Sequence, residues 1–223
     1  MMYPTLCADN FFDEPDKVVE LTHQLKYHSD AKGTWPGLRS DVVHNINQPK
    51  FNGKVFCNGV CKKIIATLYP MNYRQTSWRV SQYFQKISSD YSNPGWIHND
   101  PPVELTAIIF LSHHKRCGTS LYHPRFLDKD FINSKIKETD YKNELIEKKA
   151  VKKALQENND NWEETISINS RYNRLILFDS YSAHAAQQFL EPGIKEDRLT
   201  LITFFNEITA PGIKFPLTEM HRI

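Results

Sequence analysis

Residues 175–184, LILFDSYSAH, show an abrupt change of pattern that bears on the whole fold. Leu175–Phe178 is an uninterrupted apolar run, which is typical of a strand buried on both faces. Asp179–Ser182 is polar and favours a turn. His184 then opens a second β-prone run. The segment therefore predicts two short strands joined by a tight connection, with a histidine at the start of the second.

The same pattern extends to both sides of this segment. From residue 78 onward the chain contains short β-prone runs, and Pro101-Pro102 and Pro192-Gly193 are among the turn signals that separate them. The runs are Trp78–Phe84, Gly95–His98, Val103–Leu111, Thr119–Tyr122, Thr165–Ile168, Leu175–Phe178, His184–Phe189 and Leu199–Phe205. Short strands in succession are typical of a β-sandwich or barrel. We therefore expect a mainly β fold with flanking helices.

The first part of the chain has a more helical character. Residues 15–28 begin with a proline after an acidic pair and carry apolar side chains at helical spacing, which predicts an amphipathic helix. Val60–Tyr69 predicts a second helix. Lys32–Arg39 is punctuated by glycine and proline and predicts a loop.

The domain organisation follows from these segments. We expect a single domain over residues 1–223, with mostly helical support in 1–77 and the β core in 78–207. A highly charged, proline-free segment at 133–158 interrupts the β pattern and predicts a solvated helix. This helix is either a plain surface insertion or a lid or dimer contact beside the entrance to the core.

The composition of the chain bears on its partners and on its cellular compartment. The chain carries 28 basic and 26 acidic side chains and has no basic stripe of the kind that binds nucleic acid. Its N-terminus lacks the features of a secretory signal, and no apolar window is long enough to span a bilayer. We therefore expect a cytoplasmic protein with free thiols at its four cysteines. The spacing of Cys57 and Cys61 leaves a zinc pair as an alternative.

The sequence His98-Asn99-Asp100 is a candidate metal-binding motif. Side chains two residues apart on a strand share a face, so His98 and Asp100 are expected to point the same way. The motif is common by chance, and His28-Ser29-Asp30 also matches it. That second match falls at the end of the first predicted helix, where residues two apart do not share a face. We therefore expect it to be a helix terminus and not a ligand pair.

His184 completes a possible ligand set. Taken alone, it is best explained as a satisfied core or turn histidine. Two imidazoles and one carboxylate leave other coordination positions open, and this set is typical of non-haem Fe(II) oxygenases. The sequence therefore predicts an iron site formed by His98, Asp100 and His184.

Arg198 and Thr200 share one face of the last predicted strand. An arginine that points inward along this apolar strand is costly unless it meets an anion. Its planar fork suits a carboxylate, and the threonine hydroxyl adds a hydrogen bond. We expect the pair to bind a carboxylate co-substrate, and the alternative is an exposed arginine at the start of the strand.

The order His98-x-Asp100, His184, Arg198-x-Thr200 resembles that of the 2-oxoglutarate/Fe(II)-dependent oxygenase superfamily. Within it, the chain is most similar to the prolyl-4-hydroxylase-like branch, which includes small oxygenases of phages and marine bacteria. The resemblance covers residues 78–207. It implies a double-stranded β-helix, a jelly roll of the cupin type. It also implies Fe(II) as the metal, 2-oxoglutarate as a co-substrate anchored on Arg198, O2 as oxidant and ascorbate as reductant.

Two further implications of the resemblance concern Tyr83 and the reaction. Tyr83 lies where related enzymes often place another co-substrate contact. The reaction is expected to be hydroxylation of an amino acid, a peptidyl (for example prolyl) residue or a small molecule, with release of succinate and CO2. Asp100 argues against halogenation, because related halogenases leave that position open for a halide. The alternatives are a non-catalytic metal-binding β-barrel and a metal-dependent hydrolase.

Overall fold

The computed structural model describes residues 3–30, 35–91, 95–125 and 148–211. The strands are β1 (Leu6–Ala8), β2 (Tyr27–Ser29), β3 (Leu38–Ser40), β4 (Asn47–Gln48), β5 (Phe51–Asn52), β6 (Ser77–Ile87), β7 (Leu105–Phe110), β8 (Thr119–Pro124), β9 (Trp162–Ile168), β10 (Leu175–Asp179), β11 (Ala183–Ala186) and β12 (Arg198–Thr209). The helices are α1 (Pro15–Thr22), α2 (Gly53–Leu68) and α3 (Lys148–Asn159), and two single 3-10 turns lie at Val43–Asn45 and Tyr73–Gln75.

Two antiparallel sheets form the core of the fold. The larger has seven strands in the order β1-β10-β7-β12-β6-β3-β2, and the smaller has three in the order β11-β8-β9. A buried cluster of Phe110, Leu121, Ile176 and Phe178 joins them. The prediction of a mainly β fold with flanking helices is confirmed, and the architecture is that of the double-stranded β-helix proteins described below.

The large sheet is buried on both faces. Alternate residues of its central strands, such as Leu105, Leu177 and Leu201, belong to the core cluster that α2 covers. The residues between them, including Thr106 and Ile202, turn to the other face, where they line a cavity. A strand with two buried faces needs apolar side chains at nearly every position, which explains the uninterrupted run at Leu175–Phe178.

The helices of the N-terminal part differ from the prediction in their bounds. The first helix ends at Thr22, because the N–H groups of His23, Gln24 and Leu25 each bond the carbonyl three residues back and close a turn. Leu25 lies beyond the end of the helix and is still buried, so the burial of this apolar side chain does not depend on a helical conformation. The second helix begins earlier than expected, at Gly53, where the Asn52 side chain caps the N–H of Val55 at 3.0 Å.

Two short segments were assigned the wrong structure from sequence. His28 does not end a helix but lies in β2, which pairs with β3, and its Nε2 contacts Asp41 Oδ1 at 3.0 Å. Leu38 and Arg39 are not loop but part of β3, which pairs with β6. Both errors have the same cause, because strands of three residues are held by their partners and carry too little sequence to show a period.

The predicted strand Gly95–His98 is represented only by an isolated bridge at His98. Of the charged insertion predicted at 133–158, the part from Lys148 is helical, and α3 continues to Asn159. Residues 133–147 lie outside the described residues. Within α3, Ala154 and Leu155 are buried, so this helix packs on the domain instead of being fully solvated.

Two further expectations concern cysteines and membranes. All four cysteines are free thiols, and Cys57 and Cys61 are buried in α2. Among the described residues, the one group of three or more potential metal ligands contains no cysteine, which argues against the zinc alternative. None of the helices in the described ranges has the length and apolarity required to cross a membrane.

Two glycines of α2 provide a test of this packing. A Cβ at Gly53 would lie 1.8 Å from the carbonyl oxygen of Val43, whereas one at Gly59 meets nothing within 4 Å. We expect Gly53→Ala to lower the free energy of unfolding by about 1–3 kcal/mol through overpacking. Gly59→Ala should raise it by about 0.5–1 kcal/mol, because alanine loses less backbone entropy in a helix.

Chemical denaturation of both variants measures these effects. Equal destabilisation by the two substitutions would contradict the close approach of α2 to the 3-10 turn at Val43.

Candidate metal centre

Backbone hydrogen bonds bring the three predicted metal ligands together. The N–H of His98 donates to the carbonyl of His184 at 3.0 Å, and the N–H of His184 donates to the carbonyl of His98 at 2.7 Å. The N–H of Asp100 donates to the carbonyl of Ser180 at 2.9 Å. The segment carrying the His-x-Asp motif is therefore attached to β11 at His184 and to the turn before β11 at Ser180.

The side chains of these residues converge at one place. Asp100 Oδ1 lies 3.6 Å from His98 Nε2, and Asp100 Oδ2 lies 3.3 Å from His184 Nε2. One ligand atom from each residue falls within 4.8 Å of the other two. Adjacent ligands of a first-row metal ion bound at about 2.1 Å stand roughly 3 Å apart. The donor types and their spacing thus fit a divalent transition metal with two imidazoles and a carboxylate on one side.

A hydrogen bond at the outer nitrogen of each imidazole fixes the tautomer of the neutral ring. His98 Nδ1 lies 2.7 Å from the carbonyl oxygen of Trp96, and His184 Nδ1 lies 2.9 Å from that of Ser182. A carbonyl only accepts hydrogen bonds, so each Nδ1 carries a proton. In the neutral ring the Nε2 atom, which faces Asp100, presents a lone pair. Such hydrogen bonds orient metal-binding histidines and fix their tautomer.

The end of α3 holds the segment that leads to His98. The Asn159 side chain accepts a hydrogen bond from the N–H of Ile97 at 3.2 Å and donates one to the carbonyl of Gly95 at 3.1 Å. Asn158 donates to the carbonyl of Ile97 at 3.1 Å. These contacts take the backbone groups that a strand ladder would use, which is why Gly95–Ile97 is not a strand.

Asp179 fixes the turn on the other side of the site. It is buried, and its carboxylate accepts hydrogen bonds from the N–H groups of Tyr3 at 2.8 Å and Tyr181 at 2.9 Å. The N–H of Ser182 donates to the Asp179 carbonyl at 3.0 Å. Asp179 is therefore structural, and it positions the turn from which His184 emerges.

A cavity of about 370 Å³ connects the candidate metal site to the large sheet. Its wall includes all three candidate ligands and, on the face of the large sheet, Arg198 and Arg39. Arg198 was predicted to reach this region from sequence. Arg39 was not, because it lies in a stretch whose two glycines and one proline predicted a loop.

Arg198 is buried, with 4% of its surface exposed, so the alternative of an exposed strand-start arginine is wrong. Its guanidinium donates to the carbonyl of Cys117 at 3.2 Å and stacks near the rings of Phe110 and Phe189. Its Nε has no hydrogen-bond partner among the described residues. Burial lowers the pKa of Arg198 to about 10, so the side chain is still cationic at neutral pH.

The nearby acidic residues do not neutralise this charge. Asp197 binds Lys86 at 3.0 Å and accepts a hydrogen bond from the N–H of Ser89. The Glu196 carboxylate accepts one from the N–H of His113 at 3.3 Å. A buried cation facing a cavity without an acidic partner in the described part of the chain is a suitable receptor for an anionic ligand.

The two other predicted co-substrate contacts occupy different surroundings. Thr200 is fully buried two residues after Arg198, and its hydroxyl has no partner among the residues described. It does not itself line the cavity, so a contact with a ligand stays a prediction. Tyr83 also lies outside the cavity wall, and its ring is 5.5 Å from the guanidinium carbon of Arg39. The role of Tyr83 as a direct contact likewise stays a prediction.

The fold matches those of several solved non-haem oxygenases, at identities so low that the likeness concerns the fold alone. A 2OG-Fe(II) oxygenase family oxidoreductase from Burkholderia pseudomallei superposes with a TM-score of 0.51 at 11% identity, over 90% of this chain and 83% of that one. HygX from Streptomyces hygroscopicus, solved with nickel and 2-oxoglutarate, gives 0.55 at 10% identity, over 90% and 82%. The carbocyclase SnoK from nogalamycin biosynthesis gives 0.54 at 11% identity, over 98% and 86%.

The chain thus shares its fold with 2-oxoglutarate/Fe(II) oxygenases, and its His98–Asp100–His184 group resembles a facial metal site. The chain belongs to DUF6445, described as a family of unknown function, whose model matches residues 2–205. No curated protein matches the sequence.

Substitution of the candidate ligands tests the metal site. We expect His98→Ala and His184→Ala to abolish stoichiometric Fe(II) binding, because each removes one of three donors, while the fold is retained. The matched control is His28→Ala, since His28 contacts only the surface carboxylate of Asp41 among the described residues. Metal content after anaerobic loading measures the effect. Iron binding that depends on His28 but not on His98 would refute the assignment.

Asn159 provides a second test, because it acts on His98 only through the backbone. Asn159→Ala removes both of its hydrogen bonds to Gly95–Ile97 and should lower Fe(II) affinity about tenfold, as loss of outer contacts commonly does. Gln156→Ala, an exposed change in the same helix, should have no effect. Competitive titration against a metal-binding dye gives both affinities. Equal affinities for the two variants would show that α3 does not position His98.

Proposed function

We propose that this protein is an Fe(II)- and 2-oxoglutarate-dependent oxygenase. The observation that carries the proposal is the position of Arg198, which is a buried cation without an acidic partner in the described chain and shares a cavity with His98, Asp100 and His184. A dicarboxylate that reaches from the metal site to Arg198 supplies the missing negative charge. 2-Oxoglutarate has a ketoacid end that chelates metal and a second carboxylate that suits a guanidinium.

The side chains of the cavity have distinct tasks in this reaction. When bound, Fe(II) and 2-oxoglutarate supply the oxidising chemistry, in which O2 is consumed, the co-substrate becomes succinate and CO2, and the substrate gains a hydroxyl group. His98 and His184 offer neutral nitrogen donors, and Asp100 offers a negative oxygen donor. Arg198 orients the co-substrate from the far end. Phe110 and Phe189, which flank Arg198, keep water away from its charge and so strengthen the ion pair.

The substrate is proposed to be an amino acid, a peptidyl residue or a small molecule. The prolyl-4-hydroxylase-like branch stays a prediction from sequence, because the structures compared above resemble this chain in fold alone. Succinate release under Fe(II) and ascorbate, measured with and without panels of peptides and amino acids, identifies the class of substrate.

Two alternative functions use the same metal ligands. A metal-binding β-barrel that lacks oxygenase activity has no need of a buried arginine in the cavity. A metal-dependent hydrolase normally holds Zn²⁺ with an open water position. Replacement of Fe(II) by Zn²⁺ should abolish the activity of an oxygenase and preserve that of a hydrolase.

Arg198 distinguishes an oxygenase from a simple metal-binding protein. Arg198→Ala should weaken 2-oxoglutarate binding by about 2–5 kcal/mol, the usual effect of breaking a buried hydrogen-bonded charge pair. Iron binding should hardly change. Arg198→Lys should recover only part of the loss, because a point charge cannot form the forked contact. Calorimetry with anaerobic Fe(II)-loaded protein measures these affinities.

The matched control is Arg79→Ala, because Arg79 is an exposed arginine of β6 whose guanidinium lies 3.6 Å from the Glu207 carboxylate. It should bind 2-oxoglutarate as the wild type does. If Arg198→Ala also binds as tightly as the wild type, the co-substrate assignment fails and the metal-binding barrel becomes the better explanation.

A further inference from the structure

A second arginine faces the same cavity. Arg39 extends from β3, and its guanidinium carbon lies 4.7 Å from the centre of the Trp35 ring and 5.5 Å from those of Tyr83 and Phe204. Its Nε has no hydrogen-bond partner among the described residues. Aromatic faces hold an arginine in place by cation–π attraction while leaving its N–H groups available for a ligand.

The charge of Arg39 is only partly compensated. Burial lowers the pKa of Arg39 to about 10, and the nearby Tyr83, Asp100 and Asp30 offset only part of this effect. Asp100 is committed to the metal site under the proposed function. An anion that enters the cavity would therefore stabilise Arg39.

Sheet register separates Arg39 from Arg198. Arg39 lies opposite Gln85, and Gln85 lies opposite Thr200 on the next strand. Adjacent strands are about 4.8 Å apart, so the backbones of Arg39 and Thr200 are separated by roughly 10 Å on the same face of the sheet. Arg198 lies two residues before Thr200 on β12 and on the same face of that strand. The two arginines thus approach the cavity from different strands.

The environment of Arg39 also differs from that of Arg198. Arg198 is almost fully enclosed, whereas Arg39 is partly exposed and lies beside Trp35 and Pro36, which also line the cavity. Arg39 therefore lies nearer to solvent than Arg198 in the cavity that both share with the candidate metal ligands.

We propose that Arg39 binds a carboxylate or phosphate group of the primary substrate, which makes that substrate an anionic molecule. The inference rests on the proposed function, in which the two ends of 2-oxoglutarate are already assigned to the metal and to Arg198. Arg39 is then a cation that the co-substrate does not use. Trp96 and Phe189 also line the cavity, and such aromatic walls suit an apolar or aromatic substrate body beside the anionic group.

Model ligands test the anion preference directly. Protein loaded anaerobically with Fe(II) and 2-oxoglutarate is titrated by calorimetry with phenylacetate, phenyl phosphate and the neutral phenylacetamide. We expect the better of the two anions to bind at least about tenfold more tightly than the amide. The comparison of phenylacetate with phenyl phosphate distinguishes a carboxylate substrate from a phosphate substrate.

Variants connect this preference to Arg39. Arg39→Gln should abolish the difference between anion and amide, and Arg39→Lys should keep part of it. Arg79→Gln, an exposed change on β6, should leave the preference unchanged. Thermal unfolding of each variant checks that the fold is retained, and the affinity for 2-oxoglutarate should be the same in Arg39→Gln as in the wild type.

Three results would overturn the proposal. They are equal binding of anion and amide by the wild type, no binding of either anion, and a loss of 2-oxoglutarate affinity in Arg39→Gln as large as the loss for the anionic probe. The last would assign Arg39 to the co-substrate instead of the substrate.

Parallel titrations of the metal-free protein separate this proposal from the proposed function. If the wild type fails to bind Fe(II) and 2-oxoglutarate but keeps an anion preference that depends on Arg39, the oxygenase function fails and the anion site stands. If it binds both and shows no anion preference, the oxygenase function stands and the role of Arg39 fails.

Discussion

The reciprocal backbone hydrogen bonds between His98 and His184 are the contact on which the candidate metal centre depends. They join two segments far apart in the chain, one leading into β7 and the other forming β11. With this pair in place, the hydrogen bonds of Nδ1 to Trp96 and Ser182 turn both Nε2 atoms toward Asp100. Three ligand atoms are thereby organised mainly by backbone, which costs little side-chain entropy when a metal binds.

The large sheet supplies the rest of the site because its two faces have different partners. One face packs on α2 and is filled by aliphatic and aromatic side chains. The other faces a cavity, and this is where the sheet places Arg39, Arg198 and the polar Gln85. Two cations on an otherwise largely apolar face are unfavourable without anions. The two arginines therefore make this cavity suited to anionic ligands.

The charged insertion has a structural role at its C-terminal end. Asn158 and Asn159 bind the backbone of Gly95–Ile97 and so replace the strand pairing that this segment lacks. The same residues precede β9, the outer strand of the small sheet. Asn158, the last residue of the predicted insertion, and the adjacent Asn159 thus contribute to the placement of His98.

Much of the β core and of the site was predictable from sequence, and the reasons are local. Seven of the eight predicted runs overlap strands, because a buried strand needs consecutive or alternating apolar residues that the chain itself displays. A spacing of two residues predicted that His98 and Asp100 share one face of a strand, and it predicted the same for Arg198 and Thr200. The order of these motifs along the chain was specific enough to indicate the fold class that the structure confirms.

Other features depended on partners distant in sequence and could be decided only by the tertiary structure. The strand at His28 follows from the pairing of β2 with β3. Gly95–Ile97 is apolar and β-prone, yet side-chain amides at the end of α3 bind the backbone of Gly95 and Ile97. Arg39 lies in a stretch punctuated by two glycines and one proline, and only its pairing with Gln85 brings it into the cavity. Sequence alone determined which residues could be ligands, because that depends on residue type and spacing. The tertiary structure decided which charges share one cavity, because that depends on contacts between segments that the local pattern does not encode.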